Sequence, residues 1–577
     1  MAVRCVKIGI ANFRAFGPGI DVRGSMPTDT NIRYVDLDDD IIVLIGGNNC
    51  GKSTILHAYD AARQSKKKLD RDDFFRKEET PPVLEIWLKA DAIDDAAEKT
   101  RKWYDPDRGN VAIVRKVWSE PGAEATKYSY DWERGCWDEG GFGGWDSILQ
   151  SEMPAPLWLR AIMSEEELAA SVRDLVKEIV FARLHGTLEL SQAEVALEAL
   201  SNLIAGDAFL AEFGTAVTSE LAKTFPEARV SVSNPPAPKG VLSLFEKQAQ
   251  VEVELADSPK LAFSRHGHGL QRQCALSLLG VIATETAKIE REKARAKTKS
   301  SAEEKDAGRI LLIEEPELFL SPSAVRAVRD NLYALASTER FQVLAATHSP
   351  LLVDFARPKQ TVARVWKHPS FGASVFQIGN EFDLEERNQL GSVRAVNPYY
   401  SEAFFSDEVI ICEGESEAAA LSELLSRVMP NLASRYFVLA ATGGNNVPIY
   451  QRLCTRFGIP HSVLYDLESR ITKKGAENPN WIELHKRILR RASEASSKGV
   501  ENRLLIQVRD FESAHGLEPG GDKRRKALEF ARTVDLNADN PALHFCRLLR
   551  DGGDWPTYTI EQIEELDAAA PVPAVAA

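Results

Sequence analysis

The sequence predicts an α/β protein carrying two parallel-sheet units, and three observations predict it. Residues 41–54, Ile-Ile-Val-Leu-Ile-Gly-Gly-Asn-Asn-Cys-Gly-Lys-Ser-Thr, run from an apolar strand through a G-x-x-x-x-G-K-S loop into a helix. Two later apolar runs, 309–314 and 341–346, end in Glu-Glu-Pro-Glu and in Thr-His-Ser-Pro. From residue 408 onward, apolar strands alternate with helical stretches, the pattern of a parallel sheet. A chain of 577 residues allows two to four domains and a large core.

Composition narrows the class. A hydrophobic content of 44% and a charged content of 27% describe an ordinary soluble protein. No apolar run approaches the ~18 residues of a membrane span. Met1–Lys7 contains no signal-peptide core. The seven cysteines, at 5, 50, 136, 274, 412, 454 and 546, form no C-x-x-C pair. That spacing argues against a zinc ribbon or a disulfide framework and for a reducing, cytoplasmic location. The net charge of −14 lends composition no support for a nucleic-acid partner, which needs only a local basic groove.

The elements follow in order. Val3–Ile10 alternate as a strand, and Asn12-Phe13-Arg14 turns the chain. In the 41–54 stretch, Gly46, Asn48, Asn49 and Gly51 supply a loop whose backbone N–H groups converge on phosphates. Lys52 reaches the β/γ-phosphates, the Ser53 hydroxyl is placed to ligate Mg²⁺, and Thr54 opens the helix. Lys66–Lys68 read as a solvated face, and Asp72-Asp73-Phe74 follows at a place where ATPases that resemble this chain carry a γ-phosphate-sensing loop. Val83–Ala90 and Val111–Trp118 alternate as antiparallel strands. Residues 132–145, rich in Gly and Trp, read as a loop with hairpin turns. From Leu157 to about Phe225 the apolar spacing is helical, which predicts a helical insertion over 157–228.

Val230–Leu255 returns to strands, broken at Asn234-Pro235-Pro236. A Gly-rich turn, Arg265-His266-Gly267-His268-Gly269-Leu270-Gln271-Arg272, then opens an apolar helix over 275–287. Residues 288–307 are almost wholly polar and read as a frayed helix leading into a mobile loop. The strand 309–314 ends in two adjacent carboxylates, which alternation aims in opposite directions. Glu314 can hold the Mg²⁺ shell while Glu315 polarises the attacking water. The strand 341–346 delivers His348.

Val409–Cys412 is an apolar strand ending in Glu413-Gly-x-x-Glu417 at the start of a helix. Tyr436–Ala441 is a second strand, closed by Thr442-Gly443-Gly444-Asn445. Residues 459–468 form a third strand ending in Asp466-x-Glu468. Strand ends of a parallel sheet meet at one edge, which gathers Glu413, Glu417, Asp466 and Glu468. Such a carboxylate cluster suits Mg²⁺ or Mn²⁺. Asp510 and Glu512, after the strand 504–508, could complete a second metal site ~4 Å from the first. Lys523, or else Lys526, could neutralise charge on a phosphodiester in its transition state. Residues 390–400 read as a hinge and the tail after Asp567 as low-complexity.

N-F-R, G-G-N-N-C-G-K-S-T, G-H-G-L-Q-R, I-E-E-P-E-L-F-L and T-H-S-P resemble the ABC-type ATPase of the OLD (overcoming lysogenization defect) nucleases and their RecF/SMC relatives. E-G-x-x-E and D-x-E, with G-G-N-N between them, resemble a TOPRIM domain of the OLD type. The resemblance covers most of residues 1–530. It departs from the family at Glu314, where Asp is usual, at Glu468 in the usual D-x-D, and in a signature turn that is not S-G-G-Q. It implies nucleotide contacts from Arg14, Gly267, Gly269 and Gln271, and a γ-phosphate contact from His348. It also implies Glu315, His348, Glu413 and Lys523 as catalytic groups, with ATP and one Mg²⁺ in the ATPase and two Mg²⁺ or Mn²⁺ in the TOPRIM domain.

The implied fold is an ABC/RecF-SMC-like ATPase in two parts, 1–156 and 229–395, split by a dimerisation insert at 157–228. A Rossmann-like TOPRIM domain at 396–540 and an extension at 541–577 follow. The implied function is a metal-dependent DNA endonuclease or nickase controlled by ATP, a homodimer or higher oligomer, in phage defence or DNA repair. Two rival expectations are an ATP-gated DNA-binding clamp and a scaffold acting with a partner such as a helicase.

Overall fold

The structure is a computed structural model. It describes residues 4–17, 32–64, 66–89, 103, 105, 110–140, 153–161, 167, 207–233, 250–255, 259–262, 265–295, 309–338, 341–357, 359–368, 371–379, 388, 390–391, 400–467, 469–471, 478–508, 510–517 and 521–569. The chain divides into two compact units, Met1–Asn380 and Glu381–Ala577.

The first unit has three sheets. Strands β1 (Arg4–Ala11), β2 (Arg33–Asp36), β4 (Val83–Lys89), β5 (Val111–Val117), β6 (Thr126–Asp131) and β7 (Cys136–Glu139) form an antiparallel sheet in the order β2-β1-β4-β5-β6-β7. The second sheet has the order β15-β14-β3-β13-β12-β8. It comprises β3 (Ile41–Ile45), β8 (Ala155–Leu159), β12 (Arg309–Glu314), β13 (Phe341–Ala346), β14 (Gln360–His368) and β15 (Gly372–Ile378). All its pairings are parallel except the β14–β15 hairpin. A small antiparallel sheet joins β9 (Ala228–Ser233), β10 (Gln250–Leu255) and β11 (Leu261–Ala262).

Every residue of β3 and β13 is buried. That is why their sequences are apolar runs, broken only by the buried Gln342 of β13: a parallel strand covered on both faces has no solvent side to alternate with. Helix α1 (Lys52–Arg63) leaves β3 through Gly51, whose φ of 113° is left-handed. A side chain there would also meet Ala15 Cβ at 2.9 Å. One core cluster takes Ile55, Leu56 and Tyr59 of α1, Ile42 and Leu44 of β3, and Ile8, Leu84 and Ile86 of the antiparallel sheet. The loop before α1 is therefore held from both sides. Helices α2 (Asp207–Leu221), α3 (His268–Arg295) and α4 (Pro322–Ala336) complete the described part of this unit.

Several sequence expectations change here. The loop expected over 132–145 contains β7, four residues paired antiparallel with β6. The insertion expected from 157 starts later, because 155–159 is β8, an edge strand registered on β12. Most of 157–228 lies outside the described residues; 207–221 is helical as expected. The helix expected at 275–287 begins at His268, inside the Gly-rich turn, and runs through 295. The rest of the polar stretch, 296–307, lies outside the described residues. The β14–β15 hairpin was not anticipated.

The second unit is one parallel sheet in the order β17-β16-β18-β19, with β16 (Glu408–Cys412), β17 (Tyr436–Ala440), β18 (His461–Leu467) and β19 (Asn502–Val508). Its helices are α5 (Glu415–Val428), α6 (Val447–Arg456), α7 (Trp481–Ser497), α8 (Lys523–Thr533), α9 (Pro541–Asp551) and α10 (Ile560–Ala569). Leu421 and Leu424 of α5, Ala527 of α8, and Leu543 and Phe545 of α9 share one core with Ile410 and Leu464. Residues 541–551 therefore belong to this unit's core and are not an appended extension. Nearly all of the expected hinge, and the tail from 570, lie outside the described residues.

Candidate functional site

Two centres emerge, one in each unit. In the first, β3, β13 and β12 lie side by side and end at the same edge. Lys52, buried at the first turn of α1, donates to Gly46 O at 3.0 Å and Gly47 O at 2.9 Å. Its Nζ also lies 2.8 Å from His348 Nε2. Burial lowers the Lys52 pKa, and burial with the Lys52 charge lowers that of His348. A neutral His348 can accept a hydrogen bond from the lysine through Nε2. Gly47, Asn48, Asn49 and Ser53 are exposed along the loop. Gly46, at φ 142°, could carry no side chain, since a Cβ would lie 2.2 Å from Val365 O.

Glu315 sits at φ 45°, and its N–H donates to Ala346 O at 2.7 Å. The left-handed turn at Glu315, outside β12, means that simple strand alternation does not set its direction. Its Oε1 stands 3.8 Å from His348 Nε2. Glu317, which sequence reasoning passed over, accepts from His348 N–H at 2.6 Å and from the Thr347 hydroxyl at 2.9 Å. It fixes the turn that presents His348, and burial raises its pKa. Arg272 was also missed. Its guanidinium donates to Arg160 O and Ala161 O, both at 2.8 Å, to Glu314 O at 2.5 Å and to Glu315 O at 2.6 Å. It ties the start of α3 to the ends of β8 and β12. Their proximity to Gln271 and Glu315 in the quoted motifs was the only available signal.

Other expected residues are placed as follows. Arg14, at φ 49°, pairs with Asp73 through Nε–Oδ1 at 2.8 Å, which joins the N-F-R turn to the 72–74 loop. Gln271 is buried and donates to His266 O at 2.7 Å, so it braces the turn from within. Gly267 and Gly269 stand at the start of α3, where free N–H groups and the helix dipole favour an anion.

The second centre lies at the C-terminal edge of the parallel sheet. Glu413 follows β16, and its Oε1 accepts from Gly444 N–H at 3.2 Å. Glu417, on the first turn of α5, and Asp466, near the end of β18, are both buried and hydrogen-bond each other. Asp466 also accepts from Gln507 Nε2 at 3.0 Å and Phe511 N–H at 3.1 Å. Burial pushes Asp466 well above the usual carboxylate range, with the Glu417 and Glu413 charges adding to it. Burial likewise raises Glu417. Glu512, also buried, accepts from Lys523 Nζ at 3.1 Å, and that bond raises the lysine pKa. Lys526 lies over Gly521, and Arg524 pairs with Glu415 at 2.7 Å.

Asp510 caps the one-turn helix Phe511–Ala514 by accepting from Ser513 N–H at 2.7 Å. Glu468 lies outside the described residues. Among the described residues, no three His, Cys, Asp or Glu side chains are gathered as a ready metal cage. The donor chemistry nevertheless fits a hard divalent cation: Glu413, Glu417 and Asp466 offer carboxylate oxygens at one sheet edge, where burial first and neighbouring carboxylates second raise the pKa values of Glu417 and Asp466.

The family described as overcoming lysogenization defect protein-like, TOPRIM domain, matches residues 404–467. The AAA ATPase domain family matches residues 177–353, the part that holds Glu315 and His348. The chain is 22% identical over 504 residues to the Old nuclease of Escherichia phage P2, covering 81% of this chain and 78% of that protein. It is 24% identical over 248 residues to the OLD nuclease of Thermus scotoductus, 40% of this chain and 46% of that one. Over 169 residues it is 30% identical to the endonuclease GajA of Bacillus cereus, 29% of this chain and 28% of that protein.

Proposed function

We propose that this chain, which pairs an ABC-type ATPase with an OLD-like TOPRIM domain as the OLD-family nucleases do, is a DNA endonuclease that nicks under the control of bound ATP. The observation that carries the proposal is the meeting of Glu413, Glu417 and Asp466 at one sheet edge, beside the Lys523–Glu512 pair. Glu413, Glu417 and Asp466, with Glu468, Asp510 and Glu512, are the residues that would hold divalent metal. Two Mg²⁺ or Mn²⁺ would supply charge stabilisation at the attacking and leaving oxygens of a phosphodiester.

The chain's own contribution is placement. Glu413 is fixed by Gly444 N–H, and Asp466 by Gln507 and Phe511. Lys523, close to these acids and still partly exposed, balances the charge that builds on the phosphate as water attacks phosphorus and the P–O bond to the leaving oxygen breaks. In the first unit, Lys52 would turn from Gly46 and Gly47 to the phosphates of a bound nucleotide, and Ser53 and Glu314 would hold its Mg²⁺. Glu315 polarises the hydrolytic water, and His348 reports the γ-phosphate. The assembly is a homodimer or higher oligomer, and its setting is phage defence or DNA repair.

Plasmid nicking by the purified chain with Mg²⁺ or Mn²⁺ tests the proposal. Wild type relaxes supercoiled plasmid, Glu413→Ala falls at least about a hundredfold, and Lys52→Ala shows whether ATP gates the cut. Intact ATPase activity with no nicking in either metal would replace the nuclease by an ATP-gated DNA clamp.

A further inference from the structure

A cleft of about 170 Å³ opens in the second unit and is left unused by the roles assigned above. Glu413 and Asp466 line one part of it. Asn445, Asn480, Trp481 and His485 are among the residues that line the rest, so it adjoins the acids that would act on a phosphodiester. The two asparagines are exposed and mark the rim. Trp481 and His485 are 4% and 2% exposed and lie deep.

His485 carries the second observation. Its Nδ1 lies 3.1 Å from the Tyr465 hydroxyl. Its Nε2 is buried and has no hydrogen-bond partner among the described residues. An unmade bond of that kind is destabilising and uncommon in native cores. It is expected where a ligand completes the bond. Burial also holds the ring neutral, with a pKa lowered to about 4.

The lining restricts the ligand. Among the described residues it contains no Lys or Arg, and two of its members are carboxylates. A phosphate is therefore disfavoured. The volume far exceeds the ~30 Å³ share of one water. What the lining does offer is carboxamides, which read donor and acceptor edges, and an indole beside an imidazole, which packs on a flat face. A neutral planar heterocycle fits all of these.

We propose that the cleft receives one unstacked nucleobase of the nucleic acid, next to the phosphate that Glu413 and Asp466 serve. The proposal rests on the nuclease reading and adds a site of base or structure preference to it. Enzymes that act within a stacked strand reach their target by extruding a nucleotide into such a pocket. Here the extruded base would be the anchor, and the reaction would occur at its neighbouring phosphodiester.

The test uses the full chain and a duplex that it cuts, with an abasic site placed in turn at each position flanking the cut. The expected result is one position at which loss of the base slows wild-type cutting about tenfold, the worth of one stacked base. At that position Asn480→Ala and His485→Gln cut the intact duplex slowly and become indifferent to base loss. Asn480 is on the rim, so its variant remains informative if the buried His485→Gln misfolds. Equal cutting of every abasic duplex by wild type overturns the pocket and leaves the nuclease standing. If the intact duplex is not cut at all, the nuclease reading fails, and binding to 2-aminopurine-labelled duplexes in Ca²⁺ decides the pocket alone. Fluorescence rising at one position in wild type and not in Asn480→Ala supports it. No rise at any position, or the same rise in both proteins, overturns it in favour of a water-filled cleft.

Discussion

His461 opens β18 and is completely buried. Its Nδ1 donates to Ile459 O at 3.1 Å, which leaves Nε2 as an acceptor without a partner among the described residues. Burial lowers its pKa from 6.5 to about 4. Between those values the unfolded chain holds the proton and the folded chain does not, so stability falls as the pH drops through that window. At 1.36 kcal/mol per unit the loss is roughly 3 kcal/mol. Urea unfolding at pH 7 and pH 4.5 should show His461→Gln losing less over this step than wild type; equal losses would refute the assignment. The meeting of Lys52 with His348, and of Glu413 with Asp466, was legible in the sequence because each sits in a short motif at the end of a strand. Glu317 and Arg272 were not, since their partners lie about thirty and more residues away and only the fold brings them together. Gln271 misled for the opposite reason: the motif placed it at the nucleotide, and a local carbonyl claims its side chain.

At the level of elements, α3 is fastened to the edge that carries Glu314 and Glu315 by one guanidinium with four carbonyl partners. Removing it takes the donor from four part-buried carbonyls at two strand ends, the kind of loss that costs about 1–3 kcal/mol. Arg272→Ala should therefore lower the unfolding midpoint of the first unit and depress ATP turnover more than ATP binding. A variant as stable and as active as wild type would show that the link is dispensable. Strand–helix alternation made the second unit's sheet legible from residue 408 onward, because parallel strands buried on both faces write themselves as apolar runs. Strands β8, β14 and β15 were not legible. β8 and β15 are mostly half-buried without a clean alternation, β14 runs from buried to exposed, and β8 and β14 pair with strands far along the chain.

For the whole molecule, the two centres sit in two units with separate cores. Each ligand should therefore stabilise its own unit by mass action, by about 2.7 kcal/mol at a hundred times its Kd. Calorimetry of the full chain should show Mg·ATP raising one transition, an effect lost in Lys52→Ala. Mn²⁺ without nucleotide should raise the other, an effect lost in Glu413→Ala. An ATP shift that survives Lys52→Ala would place the nucleotide elsewhere. The sheet of the first unit has one more consequence, in the order of synthesis. Among the described residues, strand β3 pairs with β13 and β14, which follow it by roughly 300 residues. At about 5–20 residues per second, a ribosome takes some 15–60 s to deliver them. Throughout that interval the nascent phosphate loop hangs from an apolar strand with no hydrogen-bonded neighbour, a ready client for chaperones. The four strands of the second unit emerge within a single hundred-residue span and escape this wait.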